Sequence, residues 1–426
     1  MKLPVKPPST IATLAKLRSR GDTLARLLSV PWDVAPDGRY RHWDTFRHAL
    51  PRSGFTAEQQ WLMVKTARRQ QYRPLPLVDT SGEPFVFCLP LPALEMIASV
   101  DRFAHGVDDS DVELEGSYSF LFDSIAEEAI TSSQLEGAST TRAVAKEMLA
   151  SGRAARTNSE RMILNNFQAL EYVREIASLP LTPERVLELH RRVTEGTLDE
   201  PTASGRLRRA DEDIVIDDEV GNRLHTPPPY PQLEERMKLM CRFANGVGFD
   251  GYMPPVVRAI LLHFWLAYDH PFYDGNGRTA RALFYWSMLN QGYSLIEYVS
   301  ISNILRRARA KYSRAFLYVE NDENDATYFV LYQLKVLLRA IESLQSWATR
   351  KLAERSHVRD SSLNLRQLET LEFLLGGKSR QVTTPSHARK YSVGIETARL
   401  DLNELVSRGL AIRVRDGRSF VYVAVR

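Results

Sequence analysis

Twelve consecutive residues, 270–281, bring together side chains suited to phosphate chemistry, in the order His-Pro-Phe-Tyr-Asp-Gly-Asn-Gly-Arg-Thr-Ala-Arg. Gly275 and Gly277 lie on either side of Asn276. A turn of this composition can point consecutive backbone N–H groups into one concavity that suits a phosphate group. The loop therefore predicts an anion site.

Charged side chains around this turn extend the prediction. Arg278 and Arg281 are three residues apart, so both lie in the first turn of any helix that begins here, where free N–H groups and the helix dipole favour anions. Asp274 would repel a phosphate unless it binds Mg²⁺ that bridges phosphate oxygens. His270 is the one group of the segment able to act as a general base near neutral pH. The segment predicts nucleotide phosphates, a metal ion and a positioned base.

The order of these residues is more specific than any one of them. The segment resembles the Fic family signature, His-x-Phe-x-Asp/Glu-Gly-Asn-Gly-Arg-x-x-Arg, at every defined position. The resemblance implies a nucleotidyltransferase that moves AMP from ATP onto a Tyr, Ser or Thr hydroxyl of a target protein or of itself, and releases pyrophosphate. Doc-type relatives that transfer phosphate have Lys at the position of Gly277, so glycine here implies AMP as the transferred group.

The same resemblance assigns roles within the loop. His270 would deprotonate the target hydroxyl, Asp274 would hold Mg²⁺ at the α- and β-phosphates, and Phe272 would anchor the loop by packing. The nucleotide-binding residues would be three loop residues and two arginines, the first arginine on the β-phosphate and the second on the γ-phosphate: Gly275, Asn276, Gly277, Arg278 and Arg281.

A second motif lies at the end of a predicted helix over residues 118–137, which has helical apolar spacing and ends at Gly137. Residues 132–137 read Ser-Ser-Gln-Leu-Glu-Gly. This is similar to the family's inhibitory motif, Ser/Thr-x-x-x-Glu-Gly, with Ser132 and Glu136 in the defining places. The resemblance implies that Glu136 reaches the second arginine of the loop and blocks the γ-phosphate position. The alternative is an exposed glutamate at a helix end.

A hairpin is predicted shortly before the loop. Residues 214–216 are a β-branched run, 217–222 are rich in turn formers, and three prolines at 227–229 keep the following chain extended. Residues 204–229 look like the flap that, in Fic proteins, pairs with the backbone of the target and aligns its hydroxyl. Gly205 and Arg206 occupy the corresponding positions.

Composition sets the broad class. A chain of 426 residues with 44% hydrophobic and 25% charged residues is typical of a globular protein with two or three domains. We expect a cytoplasmic protein without a membrane span, because no apolar run approaches eighteen residues and the first residues lack the apolar stretch of a signal peptide. The net charge of +4 is too small to argue for nucleic-acid binding by itself. Cys88 and Cys241 show no metal-binding spacing and are expected to be reduced core residues.

Apolar periodicity predicts a mostly α protein. Residues 1–105 are expected to form a helical module with one short strand at 85–88 and no motif, followed by a linker at 106–116. A Fic-type helical bundle is expected over residues 117–354. Its further helices are predicted at 139–149, 158–176, 182–197, 231–244, 255–268, 279–289, 301–321 and 326–352. His263 lies among large apolar residues, which favours a core histidine over a metal ligand.

Residues 360–426 look like a separate winged helix-turn-helix. Helices are predicted at 366–375, 384–390 and 395–408, the last with Ile395, Ala398, Leu402 and Leu405 on one face, and strands at 411–414 and 420–423 flank an Asp-Gly turn. Six basic residues could contact DNA phosphates: Arg389, Lys390, Arg399, Arg413, Arg415 and Arg418. Three acidic residues of the third helix oppose this: Glu396, Asp401 and Glu404. Winged helices also serve as dimer or protein-docking modules, and a homodimer is expected.

Two hypotheses therefore stand after the sequence. The first is a self-inhibited AMP transferase whose added domains select the target. The second is a DNA-binding regulator in which the Fic core acts as a nucleotide-controlled switch.

Overall fold

The protein is described by a computed structural model that covers residues 3–18, 21–49, 54–104, 118–212, 214–218, 221–356, 363–375, 380–416 and 419–425. The predicted linker at 106–116 lies outside these residues. The described chain is mostly helical, which confirms the predicted class, and its three sheets are two-stranded antiparallel hairpins. No helix of the described ranges has both the length and the apolar character needed to cross a membrane.

The described residues of the N-terminal segment form five α-helices and one hairpin: α1 (Thr10–Arg18), α2 (Gly21–Leu28), α3 (Trp43–Phe46), α4 (Ala57–Arg69), β1 (Arg73–Val78), β2 (Pro84–Phe87) and α5 (Leu91–Ala104). Helix α4 begins with a capping box, in which Thr56 and Gln59 each accept a hydrogen bond from the other's backbone N–H. The prediction of a single strand was wrong, because β1 pairs with β2. Strand β1 was not predicted because it contains Pro74 and Pro76. Proline within a run of residues argues against a strand unless that strand lies at the edge of a sheet.

The central bundle follows, with elements α6 (Tyr118–Leu135), α7 (Arg142–Ser151), α8 (Asn158–Glu175), α9 (Pro183–Thr194), β3 (Ile216–Asp217), β4 (Arg223–His225), α10 (Leu233–Ala244), α11 (Pro255–Asp269), α12 (Asn276–Asn290), α13 (Ile301–Arg307), α14 (Arg309–Asn321) and α15 (Thr327–Ser356). Helices α11 and α12 pack against each other, and α12 also packs on α8 and α9. One continuous cluster of buried apolar residues runs from Leu75 to Leu344, so the β1–β2 hairpin and α5 share the hydrophobic core of the bundle.

One predicted helix of the bundle is two helices. Residues 301–321 break at Ala308, whose φ of −135° and ψ of 40° are not helical. No glycine or proline marks this break. It is required by packing, because α13 lies against α6 while α14 lies against α15. Tertiary contacts override local helix propensity here.

The C-terminal unit has its own small core. Its elements are α16 (Leu365–Leu375), α17 (Thr384–Tyr391), α18 (Ile395–Ser407), β5 (Ala411–Asp416) and β6 (Ser419–Ala424). This order of three helices and a hairpin agrees with the sequence, and the winged helix-turn-helix interpretation stays a prediction. Of the four residues predicted to share one face of α18, Ala398, Leu402 and Leu405 are fully buried, whereas Ile395, the first residue of the helix, is 57% exposed. Gly417 and Arg418 lie outside the described residues.

Candidate active site

The loop between α11 and α12 begins with a sharp change of backbone direction. Helix α11 ends at Asp269, and His270 follows in the left-handed conformation with φ 45° and ψ 55°. Its N–H still donates to Leu266 O at 3.0 Å. Phe272 is fully buried, and its ring stacks on that of His190 with centroids 3.8 Å apart. The loop is therefore anchored on α9, with Phe272 in the packing role expected for it.

Asn276 closes the loop with its side chain. Its Oδ1 accepts from Phe272 N at 2.9 Å, and its Nδ2 donates to Phe272 O at 2.8 Å. The amide is thus used inside the loop, and what Asn276 offers to an anion is its backbone N–H at the start of α12. Gly275 precedes it with φ 84°, and a Cβ there would lie 2.7 Å from Thr194 Cγ2. Both observations explain a glycine at this position.

Gly277 is a glycine for a different reason from the one that the sequence suggested. It is not a turn residue but the second residue of α12, with helical backbone. A Cβ at Gly277 would lie 2.1 Å from Glu136 Oε1 and 2.9 Å from its Cδ. Glycine therefore leaves the space that the Glu136 carboxylate occupies, and a larger side chain here is incompatible with this position of Glu136.

His270 has the protonation state that a general base needs. Its Nδ1 lies 3.3 Å from Ala267 O, so Nδ1 carries the proton and donates it. The lone pair is then on Nε2. Burial lowers the pKa of His270 from the ordinary value of 6.5 to about 4. The imidazole is neutral at physiological pH and can accept a proton at Nε2.

Arg281 is held by Ser132 and Glu136. The guanidinium is 1% exposed, and its Nη2 lies 2.9 Å from Glu136 Oε1. Its Nε donates to Ser132 Oγ at 2.9 Å, and its Nη2 also donates to Ser132 O at 3.1 Å. Burial, the largest single effect, raises the pKa of Glu136, but the charge and hydrogen bond of Arg281 together with the charges of Arg278 and Arg309 hold that pKa below its ordinary value. Gly137, with φ 99°, turns the chain away directly after the pair.

These residues share one cavity of about 210 Å³. Its lining includes His270, Gly277, Arg281 and Glu136, together with apolar residues of β3, β4 and α14, namely Ile216, Leu224, Phe316 and Leu317. Arg281 Nη1 is buried without a hydrogen-bond partner. A buried donor of this kind, beside the free N–H groups at the start of α12, fits the phosphates of a nucleotide.

Comparison with known proteins identifies the central segment. Residues 180–288 match the model of the Fic/DOC family. This central segment is therefore similar to Fic domains. It is 29% identical over 233 residues to the protein adenylyltransferase Fic of Drosophila sechellia, and 32% identical over 192 residues to that of Drosophila ananassae. These matches cover 54% and 45% of this chain but only 42% and 35% of the relatives, so the chain spans less than half the length of the proteins it matches.

Solved structures of Fic proteins show partial similarity. A Fic domain containing signaling protein from Bacteroides thetaiotaomicron is 20% identical, with a TM-score of 0.47 and coverage of 60% of this chain and 97% of that one. A Fic family protein from Desulfovibrio desulfuricans is 18% identical, with a TM-score of 0.45 and coverage of 78% and 94%.

Asp274 is exposed to solvent, whereas the neighbouring Arg278 is buried. The Asp274 side chain is 58% exposed, and its Oδ2 is 3.3 Å from Nη2 of the buried Arg278. Arg278 Nη1 donates to Val193 O at 3.1 Å, whereas its Nε is buried without a partner. The described residues contain no cluster of three metal-binding side chains. One exposed carboxylate still fits Mg²⁺, which is commonly held by one or two carboxylates together with substrate phosphates.

The flap contributes Arg208, a residue that the sequence did not single out. Arg208 Nε donates to His270 O at 3.0 Å, and its backbone N–H donates to Pro271 O at 2.9 Å. Its Nη2 also donates to Pro228 O. Arg206, which the sequence did single out, instead pairs with Glu212 at 2.5 Å. Arg208 therefore connects the predicted flap to the loop between α11 and α12.

His190 was also missed. It is fully buried on α9, its Nε2 donates to Asp274 O at 2.8 Å, and its Nδ1 accepts from Gly205 N at 3.1 Å. The ring therefore connects the loop between α11 and α12 to the start of the flap. His190 lies on the buried face of α9 with Val186, Leu189 and Val193. The one signal in the sequence is that a polar residue occupies a position on this apolar face.

Proposed function

We propose that the chain is a self-inhibited protein adenylyltransferase that transfers AMP from ATP to a Tyr, Ser or Thr hydroxyl of a target protein or of itself. The observation that carries the proposal is the cavity in which the basic Nε2 of His270 and the buried Arg281 meet, with Glu136 paired to Arg281. The name of the Drosophila relatives, protein adenylyltransferase Fic, supports the same activity.

The proposed reaction uses His270 as the base. Nε2 accepts the proton of the target hydroxyl while the hydroxyl oxygen forms a bond to the α-phosphorus of ATP. The bond from that phosphorus to the oxygen that bridges to the β-phosphorus breaks, and pyrophosphate leaves with the electron pair. The fixed Nδ1–H of His270 keeps Nε2 available for this proton.

The nucleotide would be bound by backbone and guanidinium donors. The free N–H groups at the N-terminus of α12 and the Nη1 of Arg281 are the groups that can hold phosphate oxygens. Asp274 would hold Mg²⁺, which when bound neutralises phosphate charge. Arg278 is buried, and its Nη1 donates to Val193 O. Its Nε has no hydrogen-bond partner, so the proposed contact of Arg278 with the β-phosphate would use Nε.

Radiolabelled ATP tests which group is transferred. We expect the Glu136→Gly variant to label itself or a target from ATP that carries the label on the α-phosphorus, but not from ATP labelled on the γ-phosphorus. Intact-mass spectrometry should show an added AMP. The matched control is the Glu136→Gly/His270→Ala double variant, which should gain nothing. A mass gain of one phosphate without AMP would contradict the proposal.

The low pKa of His270 predicts an unusual pH dependence. A histidine with its ordinary pKa of 6.5 would lose about nine-tenths of its base form at pH 5.5, whereas His270, with a pKa of about 4, keeps nearly all of it. At saturating ATP, we expect the rate of the Glu136→Gly variant to fall less than about twofold from pH 7.5 to 5.5.

Folding must be followed over the same pH range. A lowered histidine pKa contributes stability above pH 6.5 that is lost as the pH falls towards 4. Circular dichroism at each pH separates unfolding from titration of the base. A tenfold fall of the rate near pH 6.5 in a protein that stays folded would contradict the neutral, buried base.

DNA binding by the C-terminal unit stays a prediction. Of its basic residues, Arg399 pairs with Glu396 at 2.6 Å, Arg413 lies over the ring of Phe420 at 4.5 Å, and both remain exposed. Asp401 opposes DNA less than the sequence suggested, because its carboxylate is 4% exposed and accepts from Arg366 and His387. A gel shift with genomic fragments checks this alternative. The cytoplasmic location and the homodimer stay predictions as well.

A further inference from the structure

The imidazole of His225 joins three parts of the central bundle. It is the last residue of β4 in the flap, and it is 8% exposed. Its Nε2 lies 2.7 Å from Tyr268 O on α11, and its Nδ1 lies 2.8 Å from Glu320 Oε2 on α14. The ring therefore connects the flap to the helix that carries His270 and to a helix that lines the cavity.

Both neighbours of the ring are acceptors. A backbone carbonyl has no proton to give, and an ionised carboxylate has none either. A neutral histidine carries one N–H and would satisfy only one of these two contacts. Both contacts are hydrogen bonds at the same time only when each ring nitrogen carries a proton, with the Glu320 carboxylate as the counter-charge.

Tyr268 O depends on this contact. In a continuing helix it would accept from the N–H of residue 272, but Phe272 N donates to Asn276 Oδ1 instead. In the same way, Arg208 of the flap donates a hydrogen bond to the carbonyl oxygen of His270. Two flap side chains thus satisfy carbonyls at the C-terminal end of α11, where cations are favoured by the helix dipole.

We propose that His225, held as an imidazolium by Glu320, is a positioning residue for the catalytic His270. It fixes the carbonyl two residues before His270 and ties β4 to α11 and α14. Its role in the reaction rests on the proposed AMP transfer, while its protonation state does not. Burial is the main cause of the low pKa of His270, and the positive charge of His225 adds to that effect.

The other charged groups near the His225 ring form ion pairs or hydrogen bonds with other residues. Asp269, next along α11, pairs with Arg236 at 2.6 Å and accepts from Trp265 Nε1 at 3.0 Å. Arg208 donates to His270 O and Pro228 O. Glu320, with 28% of its side chain exposed, is the carboxylate in contact with the ring. Glu320→Gln therefore removes the counter-charge and keeps the volume of the side chain.

Nitrogen NMR of the histidine rings tests the protonation state without turnover. In the full chain at pH 7, we expect both ring nitrogens of His225 to carry a proton. In Glu320→Gln, the amide can donate to Nδ1, and we expect the ring to become neutral with its proton on Nε2. A native ring with one proton would overturn the charged state.

Kinetics in the Glu136→Gly background test the positioning role. His225→Gln should lower kcat by about 10- to 100-fold, since small misplacements of a catalytic group have effects of this size, and should leave the KM for ATP within about twofold because other groups hold the nucleotide. The matched control is His387→Gln, a buried histidine of α17 that bonds Asp401 and Thr370, for which we expect no change. An unchanged kcat in His225→Gln would overturn the positioning role.

A second measurement covers a failure of the proposed activity. If no variant transfers AMP, the proposed function fails, but the ring resonances of His270 still report its position. We expect them to shift in His225→Gln and to stay in place in His387→Gln. Unchanged His270 resonances in a folded His225→Gln protein would overturn the positioning role independently of any reaction.

Discussion

Replacing His270 by alanine in the Glu136→Gly background is expected to lower the rate of AMP transfer at least about 100-fold, the usual contribution of a positioned general base. The Kd for ATP should change little. His270 Nε2 acts on the hydroxyl of the target, whereas the phosphates are held by the N-terminus of α12 and by Arg281. Transfer measured with α-labelled ATP and binding measured by calorimetry give the two quantities separately.

An exposed histidine provides the control for this substitution. His48 lies on the surface of the N-terminal segment, so His48→Ala should keep full activity. Near-normal turnover in purified His270→Ala would remove the base assignment. Loss of ATP binding together with turnover would instead indicate that the loop had collapsed, because Phe272 and Asn276 fold it around the position of His270.

The sequence was informative about the loop because its functional groups lie within twelve residues. Local chemistry was enough to predict that a histidine, a carboxylate, a glycine-containing turn and two arginines act together there, and the base and the anion site stay predictions. It was not enough to show what each side chain does. Asn276 bonds the backbone of Phe272, and the reason for Gly277 is the carboxylate of Glu136, about 140 residues earlier and just after the end of α6.

The residues that brace the loop could not be predicted from spacing. His190, Arg208 and His225 each hydrogen-bond a backbone carbonyl of the loop or of the end of α11, across 84, 62 and 43 residues respectively. Every residue has such a carbonyl, so the sequence contains no sign of which one is used. The same limit applies to the break at Ala308, which packing rather than composition requires.

The pairing of Glu136 with Arg281 makes the second large prediction. A charge-assisted carboxylate–guanidinium pair of this kind is worth on the order of 1.5–3 kcal/mol. If this free energy no longer had to be overcome when ATP binds at Arg281, activity would rise roughly 10- to 150-fold, since about 1.4 kcal/mol is a factor of ten. Because 31% of the Glu136 side chain is exposed, screening by solvent favours the lower half of this range.

Three variants distinguish the effect of the charge of Glu136 from the effect of the volume of its side chain. Glu136→Gly removes both and should activate fully, and because Glu136 follows the last residue of α6 the glycine costs little helix stability. Glu136→Gln removes the charge but keeps an amide against Gly277, where the carboxylate now lies, so it should activate less. Arg281→Ala should inactivate the enzyme, because Nη1 is the buried donor available to the γ-phosphate.

The double variant decides the order of the two effects. If Glu136 inhibits by occupying Arg281, then Arg281→Ala leaves nothing for Glu136→Gly to release, and the double variant should be as inactive as Arg281→Ala alone. Autoradiography of the wild type, the single variants and the double variant in one experiment measures this. Equal labelling by the wild type and Glu136→Gly would remove the inhibitory role, whereas activation that persists without Arg281 would show that Glu136 inhibits through a different group.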